Sequence, residues 1–317
     1  HVLFEQKKGE NMQNSKPIVN TKINWKNYNR SLGERANIFS HLPENVEEIW
    51  YNRTLTGKRG TPKTYSDRAI IVCLTIAEVY RLPLRQTEGF LNNLFLQIGL
   101  NLTCPNYTVL SRRRKVLEIK KTIYRYESDD ALLVDASGMK ITGDGEWHRE
   151  YHDEFRRKTW LKLHLGVSWK TRQILAFACT PSNITDGKMF PELLTQVSRS
   201  ITECIGDGAY DNRLCYESAQ KHNLRPVFSI RTGAVEHADD IVLAPRNKAI
   251  DTIKNVVDGE KAWKAETGYH RRSLVENAFF RCKTIFGPRV SAKIFSSQIV
   301  QMALRINILN RFMTQSR

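Results

Sequence analysis

The order of apolar runs after residue 130 restricts the fold more than any other feature of this sequence. ALLVDASGMKI reads as a β-strand, LKLHLGVSW as a second and RQILAFACTPS as a third, with a tight turn at Trp169–Arg172 between the last two. Three strands in such close succession make an antiparallel meander. An amphipathic helix follows from Asp186, capped near Thr185, with Met189, Phe190, Leu193, Leu194 and Val197 on its packed side. ITECIGDG is a further short strand, a helix spans Asn212 to His222, and RPVFSI is again a strand. Residues 231–265 are the least patterned stretch and predict a loop with a short helix around Lys248–Val257. Two helices close the chain: Tyr269 to Phe286, stopped by Gly287-Pro288, and about Ser297 to Met313. The result is an α/β arrangement, a mixed sheet with flanking helices.

The half before residue 130 is patterned differently. Residues 1–40 are rich in Asn, Lys and Ser with scattered aromatics (Trp25, Tyr28), the composition of a loosely ordered arm. Residues 52–64, NRTLTGKRGTPKT, form a basic linker punctuated by Gly57, Gly60 and Pro62. Ser66 then caps a helix running to about Arg81, apolar on nearly every face and so expected to be buried. Beyond Pro83 a second helix, Leu84 to Leu100, offers Leu84, Phe90, Leu91, Leu94, Phe95 and Ile98 to a core. After Thr103, Cys104 and Pro105 a third helix begins near Asn106, with Val109 and Leu110 inward and Arg112, Arg113, Arg114 and Lys115 just beyond. Three short helices ending in a basic one have the form of a helix-turn-helix arrangement, whose last helix enters the DNA major groove. A solvated helix face is the ordinary alternative for such a run. The expected organisation is a basic arm over residues 1–50, a helical DNA-binding domain over 51–128 and an α/β domain with C-terminal helices over 129–317. The start at His1, with Met12 as the first methionine, sets residues 1–11 apart as a candidate non-native extension.

Charge points to the partner. Lys and Arg number 49 against 33 Asp and Glu, a formal net charge of +16. Residues 1–130 carry +8, residues 131–266 carry 0 and residues 267–317 carry +8. A neutral centre between two basic segments suits a chain that holds a polyanion, nucleic acid foremost, around a site that must not repel carboxylates. The best candidate for a membrane span, Ala69 to Tyr80, is too short and contains Thr75 and Glu78, so none is expected. The first residues lack the apolar stretch of a signal peptide, and a cytoplasmic location is expected. The six cysteines (Cys73, Cys104, Cys179, Cys204, Cys215, Cys282) form no CxxC pair and have no histidine cluster beside them, so they read as free thiols. GxSxG, HExxH and a phosphate-cradling Gly loop are absent, which disfavours a small-molecule hydrolase.

Two acids sit where acids are costly. Asp135 lies in or at the end of an apolar strand, before Ala136, Ser137 and Gly138, and Asp207 ends another between glycines in IGDGAYD. Either acid alone is more commonly a turn or capping residue. Tyr269, Arg272, Glu276 and Lys283 add a third element: on a helix they fall within an arc of about 60°, while Leu274, Val275, Ala278, Cys282, Ile285 and Phe286 occupy a broad face elsewhere. An Arg272–Glu276 ion pair on a solvated helix is the plain alternative for part of that stripe.

Together these residues resemble the DDE transposases of bacterial insertion sequences, of the type with a Tyr-Arg-Glu-Lys motif. The resemblance is carried by VDASGMKITGDGEW around Asp135, KTWLKLHLGV, SNITD, DGAYD at Asp207, YHRRSLVENAFFRCK around Glu276, and CPNYTVLSRRR in the N-terminal region. It extends over nearly the whole chain from about Asn24. It implies a ribonuclease H-like catalytic domain, whose element order is the one read above.

The resemblance further implies that Asp135, Asp207 and Glu276 bind two divalent cations, normally Mg²⁺ with Mn²⁺ as a substitute. Asp135 and Asp207 would bind most directly, and Glu276 would complete the second site. Arg272 and Lys283 are expected to contact phosphate and Tyr269 to support the site. The implied reaction is hydrolysis at the element ends followed by transesterification of the freed 3′-hydroxyls into target DNA. The helical domain would recognise terminal inverted repeats, with Arg112, Arg113, Arg114 and Lys115 as candidate contacts, mostly to phosphate. Pairing two double-stranded ends calls for a homodimer or higher assembly on DNA, with the protein nucleoid-associated in a bacterial cytoplasm. A binding-only relative is the first rival, but it would be marked by a replaced acid, and none of the three is replaced. A ribonuclease H-like nuclease or junction resolvase would need neither the helical block nor the Tyr–Arg–Glu–Lys stripe. His164 reads as a structural histidine in an apolar strand, and Trp147 and Trp160 as core residues, with base stacking the alternative for the tryptophans.

Overall fold

The computed structural model describes residues 24–52, 64–142, 160–198, 200–237 and 239–314. Residues 1–11, most of the expected linker, and Trp147 lie outside the described residues.

The sheet is built on β1 (Asp130–Ile141), the longest strand, whose first five residues are buried. β2 (Trp160–Ser168) pairs antiparallel with it and β3 (Ile174–Pro181) antiparallel with β2, the meander that the closely spaced runs predicted. After α6 (Asp186–Leu194) comes β4 (Ile201–Gly206), parallel to β1, then α7 (Arg213–Lys221) and β5 (Arg225–Phe228), parallel to β4. The spatial order is β3-β2-β1-β4-β5, a mixed sheet. Both faces are covered, which is why the central strands are continuously apolar rather than alternating. Phe190, Leu193 and Leu194 of α6 and Cys215, Tyr216 and Ala219 of α7 fill one side. α10 (Ser273–Phe286) and α11 (Phe295–Thr314) fill the other, with Val275, Phe279 and Cys282 meeting Met302, Ile306 and Leu309 over Leu133, Met139 and Leu163. The expected mixed sheet with flanking helices is therefore present.

Three segments differ from expectation. The stretch over residues 24–50, expected as part of an arm, holds α1 (Trp25–Glu34), a 3₁₀ turn (Ile38–His41) and α2 (Val46–Trp50). Trp50 is fully buried edge-to-face against Phe95 at 5.1 Å, and its indole N–H donates to the Thr103 carbonyl at 2.8 Å, so the helical core begins before residue 51. The weakly patterned stretch after β5 holds α8 (Ala244–Asn255) and a second helix, α9 (Gly259–Thr267), whose one large buried anchor is Trp263. A helix so short, with a glycine at its start, leaves little periodicity to read. Finally, Arg289–Val290 form β6, parallel to the far end of β1.

The helical block comprises α3 (Asp67–Val79), α4 (Leu84–Gln97) and α5 (Tyr107–Arg114), all three in mutual contact. Ser66 caps α3 and Asn106 caps α5 through side-chain oxygens, the positions their residue types favour. Leu91 and Phe95 are buried, whereas Phe90 and Ile98 are exposed, being on the outer side of α4. Val300 and Leu304 of α11 belong to this core, and Arg305 and Gln301 each reach the Glu78 carboxylate of α3 at 2.7 Å. The block is thus fastened to the α/β part by apolar packing and by a buried ion pair.

Candidate active site

Asp135 stands in mid-β1. Side chains alternate across a strand, so it shares the face of Leu133 and Met139, the side covered by α10 and α11. On one flank β2 pairs with β1 from Leu132 to Lys140. On the other, β4 leaves β1 after Leu133 and β6 joins only at Lys140. Asp135 lies in the interval between them, beside the chain that leads into α10.

That chain enters through a 3₁₀ turn, Tyr269–Arg272, so the expected single helix from Tyr269 to Phe286 is two joined pieces. Gly268, at φ +65°, ends α9 in the left-handed region that glycine tolerates. Arg271 then locks the turn: its guanidinium donates to the Gly268 and Thr267 carbonyls and to Glu203 of β4 at 2.7 Å, and lies over the Trp169 ring. With the backbone held there, Arg272 donates through Nη1 to Asp135 Oδ2 at 3.1 Å and through Nη2 to Glu276 Oε1 at 2.8 Å. Lys283, two turns further along α10, donates to the Ser137 hydroxyl at 2.7 Å.

Asp207 arrives from the end of β4. Its Oδ1 accepts the Ala209 N–H at 2.9 Å and caps the 3₁₀ turn Gly208–Tyr210, which drives the Tyr210 ring between Phe190 and Phe228. Gly206 is required just before it, because a Cβ there would come within 2.7 Å of the Tyr210 ring.

The charges of these residues act on one another. Burial raises the Asp135 carboxyl above its ordinary range; the Ala136 N–H and Arg272 oppose this, and the charges of Asp207 and Glu276 add to it. Burial alone would lower Arg272, but Tyr269, Asp135, Glu276 and Asp207 outweigh it and hold it raised. Burial likewise raises the Tyr269 phenol, with the Arg272 charge and the nearby Ser229 opposing it. The structure therefore gathers Asp135, Asp207, Tyr269, Arg272, Glu276 and Lys283 at one place, from two strands and one helical segment.

Three carboxylates against two cations leave an excess negative charge on hard oxygen donors, which suits a divalent cation such as Mg²⁺ or Mn²⁺ in kind and in sign. As the side chains stand, no three acidic, His or Cys groups among the described residues converge closely enough to hold an ion. The Arg272 guanidinium instead bridges two of the acids.

The basic run of α5 is placed elsewhere and is divided. Arg112 and Lys115 are exposed. Arg113 is largely enclosed, paired with Asp67 and donating to the Tyr65 carbonyl at 2.8 Å. Burial lowers Arg114, against the pull of the Glu78 charge. His164 is on the face of the sheet opposite Asp135, fully buried, 2.9 Å from the Thr180 hydroxyl and 3.5 Å from Asp186. Trp160 shares that opposite face by alternation and packs over Gly138.

Sequence reasoning passed over several partners. Ser137, which receives Lys283, is two residues after Asp135, and strand alternation alone puts both on one face. Ser229 and Arg231 follow β5; one meets Tyr269 and the other donates to the Gly208 carbonyl at 2.6 Å. Asp211, buried with Arg246 at 2.8 Å, accepts the Arg231 N–H. No local signal marks these three, because their partners are far along the chain.

A carboxylate cluster at the centre of a mixed sheet with flanking helices fits a ribonuclease H-like phosphoryl-transfer domain. Residues 126–311 match the family model of the transposase DDE domain, and residues 33–144 match a second model of the same description. The chain belongs to the DDE transposase family, whose members are polynucleotide-processing enzymes acting on DNA.

Proposed function

We propose that the protein binds the terminal inverted repeats of a bacterial insertion sequence, cuts DNA at the element ends and joins the freed 3′-hydroxyls to target DNA. The observation that carries this reading is the meeting of Asp135 and Glu276 on the Arg272 guanidinium, with the Asp207 charge felt at both Asp135 and Arg272. In this reading Asp135, Asp207 and Glu276 hold two divalent cations, Mg²⁺ with Mn²⁺ as a substitute. When bound, such cations supply Lewis-acid stabilisation of the attacking and leaving oxygens of an in-line displacement at phosphorus.

The protein's own side chains do the rest. Lys283, held by Ser137, is a fixed cation for a phosphate beside the scissile bond, and Arg272 supplies a second from the same stripe. Tyr269, packed on Trp263 at 5.1 Å, supports the turn that carries Arg272. On the helical block Arg112 and Lys115 are the exposed candidates for phosphate contacts at the element ends, whereas Arg113 is engaged by Tyr65 and Asp67 and Arg114 is half-buried. Two ends must be held together for the reaction, so the working unit is a dimer or larger assembly on double-stranded DNA.

The test is nicking of supercoiled plasmid in Mg²⁺ and Mn²⁺ by wild type, Asp135→Asn and Glu276→Gln. Metal-dependent breaks lost in both variants are expected. Wild type that binds DNA tightly but makes no breaks would instead support a binding-only protein.

A further inference from the structure

We propose that Arg272 is the resting counter-ion of the carboxylate site and is exchanged for a divalent cation when the site loads. The proposal rests on the carboxylate reading above and adds to it a competitor built into the fold. Arg272 uses its two Nη atoms on acids from two different elements, Asp135 of β1 and Glu276 of α10. Asp135 is only partly exposed, at 18% of its side chain, and its other oxygen accepts the Ala136 N–H at 2.8 Å. The guanidinium therefore holds Asp135 Oδ2, the oxygen other than the one that takes the Ala136 N–H. A cation cannot take the Asp135 and Glu276 oxygens together while the fork of one arginine joins them.

In this proposal the neighbouring arginine holds the backbone while the exchange takes place. Arg271 is fixed by two carbonyls, Glu203 and the Trp169 ring, and it is Arg271 that pins the turn. The hydrogen bonds of the Arg272 guanidinium go to the two acids, so it can swing while the chain beneath stays in place. Lys283 is different again. Its partner is a neutral hydroxyl, so it adds positive charge to the site without occupying a carboxylate.

That contrast supplies the control. Mn²⁺ is titrated into the full chain without DNA, and free Mn²⁺ is followed by electron paramagnetic resonance, for wild type, Arg272→Gln, Lys283→Gln and Asp135→Asn. Both Gln variants remove one positive charge, but only Arg272→Gln also frees two carboxylates. The expected result is that Arg272→Gln binds Mn²⁺ about tenfold tighter than wild type or more, the scale of releasing a charged hydrogen bond, and clearly tighter than Lys283→Gln. Arg272→Lys, which keeps the charge but loses the two-pronged fork, is expected to lie between wild type and Arg272→Gln. It also serves as the second variant if Arg272→Gln folds poorly by circular dichroism. Equal tightening in Arg272→Gln and Lys283→Gln, or none in either arginine variant, overturns the exchange. Asp135→Asn separates the two ideas. If it loses the Mn²⁺ while the arginine variants gain nothing, the carboxylate site stands and the exchange falls. If it binds Mn²⁺ like wild type, the carboxylate reading itself falls.

Discussion

Two carboxylate–arginine pairs grip the same four-residue turn and are shifted in opposite directions. Glu203, on β4, takes Arg271 at 2.7 Å and is also paired with Arg225. Burial would raise its carboxyl, but the two guanidiniums outweigh burial and hold it below its ordinary range. One residue along the turn, Arg272 holds Asp135 at 3.1 Å, yet the Asp135 carboxyl stays raised. The difference lies first in burial, which is deeper for Asp135, and then in the company each acid keeps. Glu203 is served by two arginines, whereas Asp135 shares one with Glu276 and feels Asp207 as well. A carboxylate compensated in full fastens the fold, and one compensated in part remains ready for a further cation.

The sharpest way to break this comparison is to neutralise each acid in turn. Asp135→Asn is expected to lower metal-dependent nicking by at least about 100-fold, because even removing a residue that merely supports a metal ligand costs up to that much. Its folding stability is expected to stay within about 1 kcal/mol of wild type, since the charge it removes is one that burial and two neighbouring acids disfavour. Plasmid nicking and thermal unfolding on the same preparation measure both. Nicking by Asp135→Asn at wild-type level would show that the raised carboxyl has no role in the reaction.

Exchanging the arginines should give the mirror image. Arg271→Ala removes the bond to Glu203, two bonds to carbonyls and the stacking on Trp169, and is expected to cost about 2–3 kcal/mol in urea unfolding. Arg272→Ala removes one bond to the partly buried Asp135 and one to the mostly exposed Glu276, and is expected to cost less than Arg271→Ala, about 1 kcal/mol. Equal losses for the two variants would erase the distinction between fastener and site.

How much of this was legible beforehand follows from the range of each interaction. The strands, the Ser66 cap, the helix start near Asn106 and the acids Asp135 and Asp207 are written in local pattern: alternation, a capping oxygen three positions before the N–H it accepts, an acid in an apolar run. Glu276 and Lys283, with Arg272 at the helix start, were legible because helical geometry relates them at short range, whereas Tyr269 sits in a 3₁₀ turn that continuous helical spacing does not describe. The pairing of Arg272 with Asp135 spans 137 positions and could not be read from spacing. The same holds for the fate of Arg113 and Arg114, whose basic run looked uniform in sequence until Tyr65, Asp67 and Glu78 drew two of its members inward. Helix α9 escaped because a nine-residue helix resting on one large apolar anchor has almost no period.

The opposite shifts also predict opposite pH dependences, smaller in size. Glu203 has a lowered carboxyl, so its contribution to stability is complete above its ordinary value of 4.5 and is lost as pH falls through the lowered one. Asp135 has a raised carboxyl, so its contribution is complete below 3.8 and is lost as pH rises through the raised value. Between about pH 3 and 6, Glu203→Gln is therefore expected to flatten the rise of stability with pH, and Asp135→Asn to steepen it. Urea unfolding across that range checks both signs, and the comparison fails if the two variants bend the curve the same way.

The smallest effect on activity is expected at His164, the titratable group on the opposite face of the same sheet. It is fully buried against Thr180 and Asp186, and desolvation lowers it to about 4, with Asp186 opposing. A histidine so lowered is neutral when the protein is folded and active, and its partners Thr180 and Asp186 are none of the residues gathered around Asp135. His164→Gln keeps a hydrogen-bonding group of similar reach and is expected to leave nicking within about twofold of wild type while costing about 1 kcal/mol of stability. The sign of its pH signature is fixed. The neutral ring contributes stability that is complete above its ordinary value of 6.5 and is lost as pH falls toward 4, so His164→Gln should remove the part of the acid destabilisation that sets in between those values. A loss of nicking by His164→Gln as large as that of Asp135→Asn would mean that the two faces of the sheet are coupled, and the division of labour between them would have to be redrawn.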